Sequence, residues 1–329
     1  MKKIVCLLVL FFLPACLSKK KNEIWIYTSI YKDMVEQMKP DVEKNFPEYK
    51  LQWFSAGSEK VGAKIQAELA ANHLNADLVM TSDPFFYLEL KHKGLLLAYA
   101  SVNAQNVPES LKDYDHAFAT LRVPVVVMAY HQSMLGPHQI PKTFKELTEP
   151  KWKGKVVMGS PLESGTTFTA VATLVEKYGW DFFKKLRENQ VVPAGGNSTV
   201  RQKLEAKEFP IGIILLENIL QAKSQGSPLE AIYPEDGAIL VPSPIAIFKR
   251  TPYPEVCQKI VDYFFSEAGQ QWMVKSFMYA ANPMLPPPVG AKTFGFVLKT
   301  ALPWNQSFSE RTLKDHQKIK ETFSKLMYD

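Results

Sequence analysis

The sequence is short of cysteine and glycine, and it has no long apolar run. Its 329 residues hold only three cysteines, at positions 6, 16 and 257. Two of the three lie in the first sixteen residues, so the body of the chain cannot carry an internal disulfide. Glycine (16) is outnumbered by proline (23), which implies stiff connections. No apolar stretch approaches the roughly 18 residues of a spanning helix. The formal charge of +6, from 39 basic and 33 acidic residues, includes no basic block in the body, which speaks against a nucleic-acid partner. Catalytic signatures are also missing. There is no Gly-x-Ser-x-Gly elbow, Walker loop, Gly-x-Gly-x-x-Gly, His-Glu-x-x-His or Cys-x-x-Cys. The six histidines (His73, His92, His116, His131, His138, His316) are scattered, and no carboxylate pair stands out as acid and base. No cofactor, metal site or enzymatic activity is expected.

What is present is globular: 46% hydrophobic, 22% charged and 12% aromatic residues, enough for one or two domains. Residues 1–15 read as a secretory signal. Lys2-Lys3 is a positive start, Ile4 to Leu13 is an apolar core, and Leu13-Pro14-Ala15-Cys16 is a cleavage site. That ending resembles a bacterial lipobox, which implies that Cys16 is acylated and becomes the first mature residue. Ordinary cleavage without lipid is the alternative. Acyl chains contribute about 0.8 kcal/mol per buried methylene, so anchoring needs no membrane-crossing helix. Residues 16–22 would form a polar tether, and loss of Lys2 and Lys3 lowers the charge from +6 to +4. Cys257 lies on an apolar helix face and reads as a buried, inert thiol.

The body alternates strand and helix. Ile24 to Tyr27, Lys50 to Phe54 and Ala76 to Thr81 read as strands separated by helices, which is the βαβ pattern of a parallel sheet. Pro40 is expected to kink the first helix or delay its start. A second set of elements runs through Lys155 to Met158, a helix lined by Phe168, Val171 and Val175, and Pro210 to Leu216. Arg122 to Tyr130 and Leu240 to Phe248 read as long strands crossing between two units. The expected division is 23–125 with 243–329 for the first lobe and 126–242 for the second. The fold class is α/β, with two lobes and two crossing strands at a hinge.

Open α/β sheets bind ligands at the carboxyl ends of their strands. The polar turns at such ends supply the candidate ligand-binding residues: Ser29, Gly57, Ser58, Asp83, Ser164, Gly165, Thr166, Thr167, Asn197, Ser198, Thr199 and Glu217. Helix starts flanked by hydroxyls suit an anion, and glycine admits a ligand close to the backbone. Plain helix capping explains the same residue types. Asp83 and Glu217 are carboxylates that could instead hold an ammonium or hydroxyls. Tyr27 and Tyr31 fit a core role or packing on a ligand.

Four segments carry a family resemblance: IWIYTSIYKDMVEQMKP, FSAGSEKVGAKIQAELAANHLNADLVMTSDPFFYLELKHKGLL, KWKGKVVMGSPLESGTTFTAVATLVEKYGWDFFKKL and GGNSTVRQKLEAKEFPIGIILLEN. In order and spacing the chain resembles the substrate-binding lipoproteins of ABC importers, in the group that includes ferric-iron, hexose-phosphate and 2-aminoethylphosphonate binders. The resemblance covers about 22–300. It implies a type II periplasmic-binding-protein fold that closes on its ligand and delivers it to a permease. It also implies a periplasmic location, held by lipid at Cys16, and a monomer. Ser164-Gly165-Thr166-Thr167 resembles the helix start that holds phosphate or phosphonate in relatives. Iron-binding relatives carry two adjacent tyrosines after the strand matching Pro210 to Leu216. This chain has Leu216-Glu217-Asn218-Ile219 there and no Tyr-Tyr anywhere. The expected ligand is therefore a small phosphorylated or phosphonate organic anion. Ferric iron, a secreted phosphoesterase and a surface adhesin are the rivals.

Overall fold

In a computed structural model of the protein, residues 22–329 are described. The signal segment, Cys16 and all of the tether but Asn22 lie outside them. The chain opens with β1 (Glu23–Thr28), α1 (Lys32–Glu43), β2 (Lys50–Ser55), α2 (Ser58–Ala70), β3 (Leu78–Met80) and α3 (Pro84–His92). β1 lies between β2 and β3, parallel to both. The period-two pattern of β1 feeds two cores: Ile24 and Ile26 pack on one face of the sheet and Tyr27 on the other. Pro40 does not delay α1, which begins at Lys32 and runs through it. Burial of Met34, Val35, Met38 and Val42 outweighs the roughly 3 kcal/mol cost of an interior proline.

β4 (Leu96–Leu97) precedes the hinge. The stretch read as one crossing strand is two: β5 (Ala119–Val123) and β6 (Val125–His131), divided at Pro124. They belong to different sheets. Proline has no N–H for a ladder, so a break there is the physically expected outcome. The second lobe then adds β7 (Val156–Met158), α4 (Gly165–Tyr178), α5 (Trp180–Glu188), β8 (Val192–Pro193), α6 (Asn197–Glu205), β9 (Ile211–Leu215), α7 (Leu216–Ser224) and β10 (Leu229–Ile232). The return crossing is also broken, into β11 (Ile239–Leu240) and β12 (Ser243–Phe248), which flank Pro242. Val241 N–H donates to the Pro124 carbonyl at 2.9 Å, so the two crossings are tied at their proline breaks.

The chain ends with α8 (Pro254–Phe265), α9 (Glu267–Lys275), β13 (Tyr279–Ala280), α10 (Phe294–Thr300), α11 (Gln306–Lys314) and α12 (His316–Met327). The first sheet has the order β13-β5-β12-β3-β1-β2, with β4 also on β12. The second has the order β10-β6-β9-β7-β8, with β11 also on β6. Cys257 is fully buried on α8, its sulfur 3.6 Å from Thr251 Oγ1.

The last helices do not side with the first lobe alone. Phe323 and Met327 of α12 pack in the second lobe's core, and Phe323 stands edge-on to Phe183. A further cluster joins Phe85 of the first lobe, Phe168 of the second and Phe308 of α11, all buried. The sequence shows one amphipathic stretch from Ser309 to Met327, whereas the structure breaks it at Asp315 so that its two halves reach different partners.

Candidate functional site

The carboxyl ends of β1, β2 and β3 meet the starts of α4, α6 and α7 across a narrow seam. Gly165, the first residue of α4, stands hard against the first lobe. A Cβ there would lie 2.8 Å from Asp83 Cβ, 2.9 Å from the Ser82 carbonyl and 3.0 Å from Ser58 Cβ. A Cβ at Gly57 would stand 3.4 Å from the Glu163 carbonyl. Two direct bonds also cross the seam. Tyr31 Oη donates to Asn218 Oδ1 at 3.1 Å, and Gln221 Nε2 donates to Asp33 Oδ2 at 2.9 Å. The lobes are closed on each other, with a cavity of about 270 Å³ between Tyr31, Asp33, Ser198, Arg201 and Asn218 at one end of the seam.

The residue that sets the electrostatics of this seam, Arg122, is not among the polar turn residues that the sequence offers as candidates. Arg122 is 2% exposed. Its guanidinium donates to Ser29 Oγ at 3.3 Å and to Met278 Sδ at 2.8 Å. Among the described residues no carboxylate lies within ion-pair distance of it. Burial lowers its pKa, partly offset by the charge of Glu217. Glu217 is itself buried, and desolvation raises its carboxyl to about 7 against the pull of Arg122. Its Oε2 is sealed from solvent with no hydrogen-bond partner. Desolvation together with Glu217 holds the Tyr31 phenol up at about 12. An arginine heading an otherwise apolar strand, RVPVVVMAY, was the available signal.

Several sequence candidates gather here. Ser29 Oγ accepts from Ser82 N–H at 3.0 Å as well as from Arg122. Ser198 lines the same cavity as Tyr31. Asn197 ties the second lobe's helix starts together: Nδ2 donates to Thr166 Oγ1 at 2.9 Å and Ser164 Oγ at 3.3 Å, while Oδ1 accepts from Leu215 N–H. Ser164 and Asp83 cap their own helices, accepting from Thr167 N–H and from Phe85 and Phe86 N–H. By contrast α1, α2, α6 and α7 have no side-chain cap. Their first-turn N–H groups are the donors left for another acceptor. Thr167 and Thr199 turn into their own lobe, against Gly159 and Gly195. Tyr27 is buried in the core and donates to Glu68 Oε1 at 2.7 Å. No helix among the described residues is long and apolar enough to cross a membrane.

Residues 74–295 match the model of a bacterial extracellular solute-binding protein family. The chain belongs to that family. An uncharacterized protein of Haemophilus influenzae is 28% identical over 228 residues, 65% of each chain. The probable ABC transporter periplasmic-binding protein y4fP of Sinorhizobium fredii is 22% identical over 66% of this chain and 63% of its own. The phosphoglycerate transport regulatory protein PgtC of Salmonella typhimurium is 23% identical over 61% and 52%. The chain thus spans less than two thirds of these relatives' length. Among solved structures, the periplasmic binding protein AfuA of Actinobacillus pleuropneumoniae, with exogenous fructose-6-phosphate bound, superposes with a TM-score of 0.81. It is 23% identical, over 93% of this chain and 99% of that one. Iron-bound HitA of Pseudomonas aeruginosa gives 0.80 at 16% identity over 92% and 99%. Both likenesses show the two-lobed fold expected from the sequence.

Proposed function

We propose that this solute-binding protein serves an ABC importer and takes up a small phosphorylated or phosphonate organic anion between its lobes. The observation that carries the reading is Arg122. It is a buried cation without a carboxylate within ion-pair distance, bonded to Ser29 and interacting with Tyr31, which precedes the uncapped α1, and with Glu217 in the first turn of the uncapped α7. Leaving such a charge unneutralised in the closed form is costly, and an entering oxyanion removes that cost. Glu217, with its partnerless Oε2, would accept from a hydroxyl or ammonium on the same ligand. Ser58, Asn197 and Ser198 would line the pocket, and Ser164 to Thr167 would hold the second lobe's face of it.

AfuA was solved with fructose-6-phosphate, and PgtC is named for phosphoglycerate transport; both are consistent with a phosphoanion. The iron-bound relative HitA keeps ferric iron as the competing cargo. Tyr31 is a phenol at this seam, and burial raises its pKa, which opposes the phenolate that ferric iron requires. Delivery would be to a permease, from a monomer held at the periplasmic membrane face by lipid on Cys16.

Calorimetry of the mature chain against 2-aminoethylphosphonate, hexose phosphates and a ferric salt tests the reading. One-to-one binding of a phosphoanion that is lost in Arg122→Met supports it. Binding of ferric iron alone, with a tyrosinate absorption band, overturns it. Release of the protein from the membrane fraction by Cys16→Ala tests the anchor separately.

A further inference from the structure

Away from Arg122, three groups with metal-ligating side chains converge where the C-terminal helix meets the first lobe. Glu59 is in the first turn of α2, Asp83 precedes α3, and His316 opens α12. One donor atom from each lies within 4.8 Å of the others. We propose that Glu59, Asp83 and His316 form a binding site for a divalent transition metal of the zinc class, which fastens α12 to the first lobe.

Four observations favour a cation here. Glu59 Oε1 is sealed from solvent and accepts no hydrogen bond, an acceptor left without a donor. Asp83 is 7% exposed, and both of its capping bonds fall on Oδ1. The His316 ring is held 4.2 Å from the Phe168 ring, which fixes its direction. A cavity of about 340 Å³, lined by Ser58, Glu59, Gly62, Asp83 and His316, gives access and room for coordinating water. One imidazole with two carboxylates suits zinc and its neighbours, whereas magnesium and calcium prefer all-oxygen shells. Zinc bonds of about 2.0–2.2 Å set tetrahedral donors about 3.4 Å apart, so metal binding would draw in whichever of the three donors stands farther out.

The cluster already holds one positive charge. Lys320, a turn beyond His316 on α12, pairs with Glu59 Oε2 at 2.6 Å and stands 5.4 Å from the Phe168 ring centre. A metal must displace that ammonium, so Lys320 sets the affinity. The clasp would act across lobes, because the far end of α12 is seated in the second lobe through Phe323 and Met327.

The test uses the mature chain and zinc alone, titrated against a chromophoric chelator at neutral pH, with melting followed in parallel. The expected result is one equivalent bound, with a raised melting temperature. Affinity should fall at least tenfold in His316→Ala and in Glu59→Gln, and rise at least tenfold in Lys320→Met. Excess magnesium should not compete. Absence of stoichiometric binding in both the wild type and Lys320→Met overturns the proposal. So does zinc binding undiminished by His316→Ala.

Discussion

Gly165 and Asp83 meet so closely that a single methyl group on the glycine would stand 2.8 Å from Asp83 Cβ. The neighbouring obstacle is a backbone carbonyl, that of Ser82 at 2.9 Å, so a rotamer change cannot relieve the clash. Gly165→Ala should therefore hold the lobes apart without harming either one. Alanine at a first helical position is no worse than glycine. We expect a larger radius of gyration by small-angle scattering, solute affinity at least tenfold weaker, and a melting shift worth less than about 1 kcal/mol. An unchanged radius with full affinity would mean that the closed contact is not needed for binding.

Arg122 should likewise lose function with the fold kept, but by removing a charge and not by holding the lobes apart. A buried cation without a salt bridge is a cost in the unliganded protein, so Arg122→Met should leave stability unchanged or raise it by about 1 kcal/mol. Anion affinity should drop by a hundredfold or more, since a charge-assisted bond to a desolvated guanidinium is among the strongest available. Denaturant melts and calorimetry on the same samples separate the two effects. A large loss of stability would make Arg122 a structural residue.

Much of this architecture was legible because the parallel strands of the first lobe and the helices between them keep clean periodicities. In sequence each broken crossing reads as continuous, because apolar runs on either side of Pro124 and Pro242 look alike. The hinge itself is legible as two crossings; that the first is broken shows only in the assignment of β5 and β6 to different sheets. Ser164 and Asp83 are polar residues at helix starts in the sequence, and in the structure both cap their helices. Uncapped starts such as those of α6 and α7 leave no polar signature at the cap position, which is Gly196 and Leu215. Arg122 was invisible for a related reason. One charge in an apolar strand resembles a strand end until its burial is known.

The C-terminal helix should matter to the whole molecule. Phe323 is fully buried against Phe183 in the second core. Its replacement by alanine should cost about 3–5 kcal/mol, as for other buried phenylalanines. Chemical denaturation measures this directly. A cost under about 1 kcal/mol would show that α12 is an appendage and not part of the second lobe.

Glu217 should make both stability and binding depend on pH near neutrality. Its folded-state pKa is raised from the ordinary 4.5 to about 7, chiefly by desolvation. The neutral carboxyl is thus the form the fold prefers, and its contribution is complete below about pH 4.5. As pH rises through 7 the group ionises in place, and that contribution is lost, at most about 3 kcal/mol in the unliganded protein. The ionised carboxylate also competes with a bound anion for Arg122, so anion affinity should fall over the same interval. In Glu217→Gln neither change can occur, and the difference between the two proteins removes the titration of the ligand itself. Calorimetry from pH 5.5 to 8.5 should show affinity declining more steeply in the wild type. Parallel profiles would mean that Glu217 does not change its protonation over this range and does not control the site.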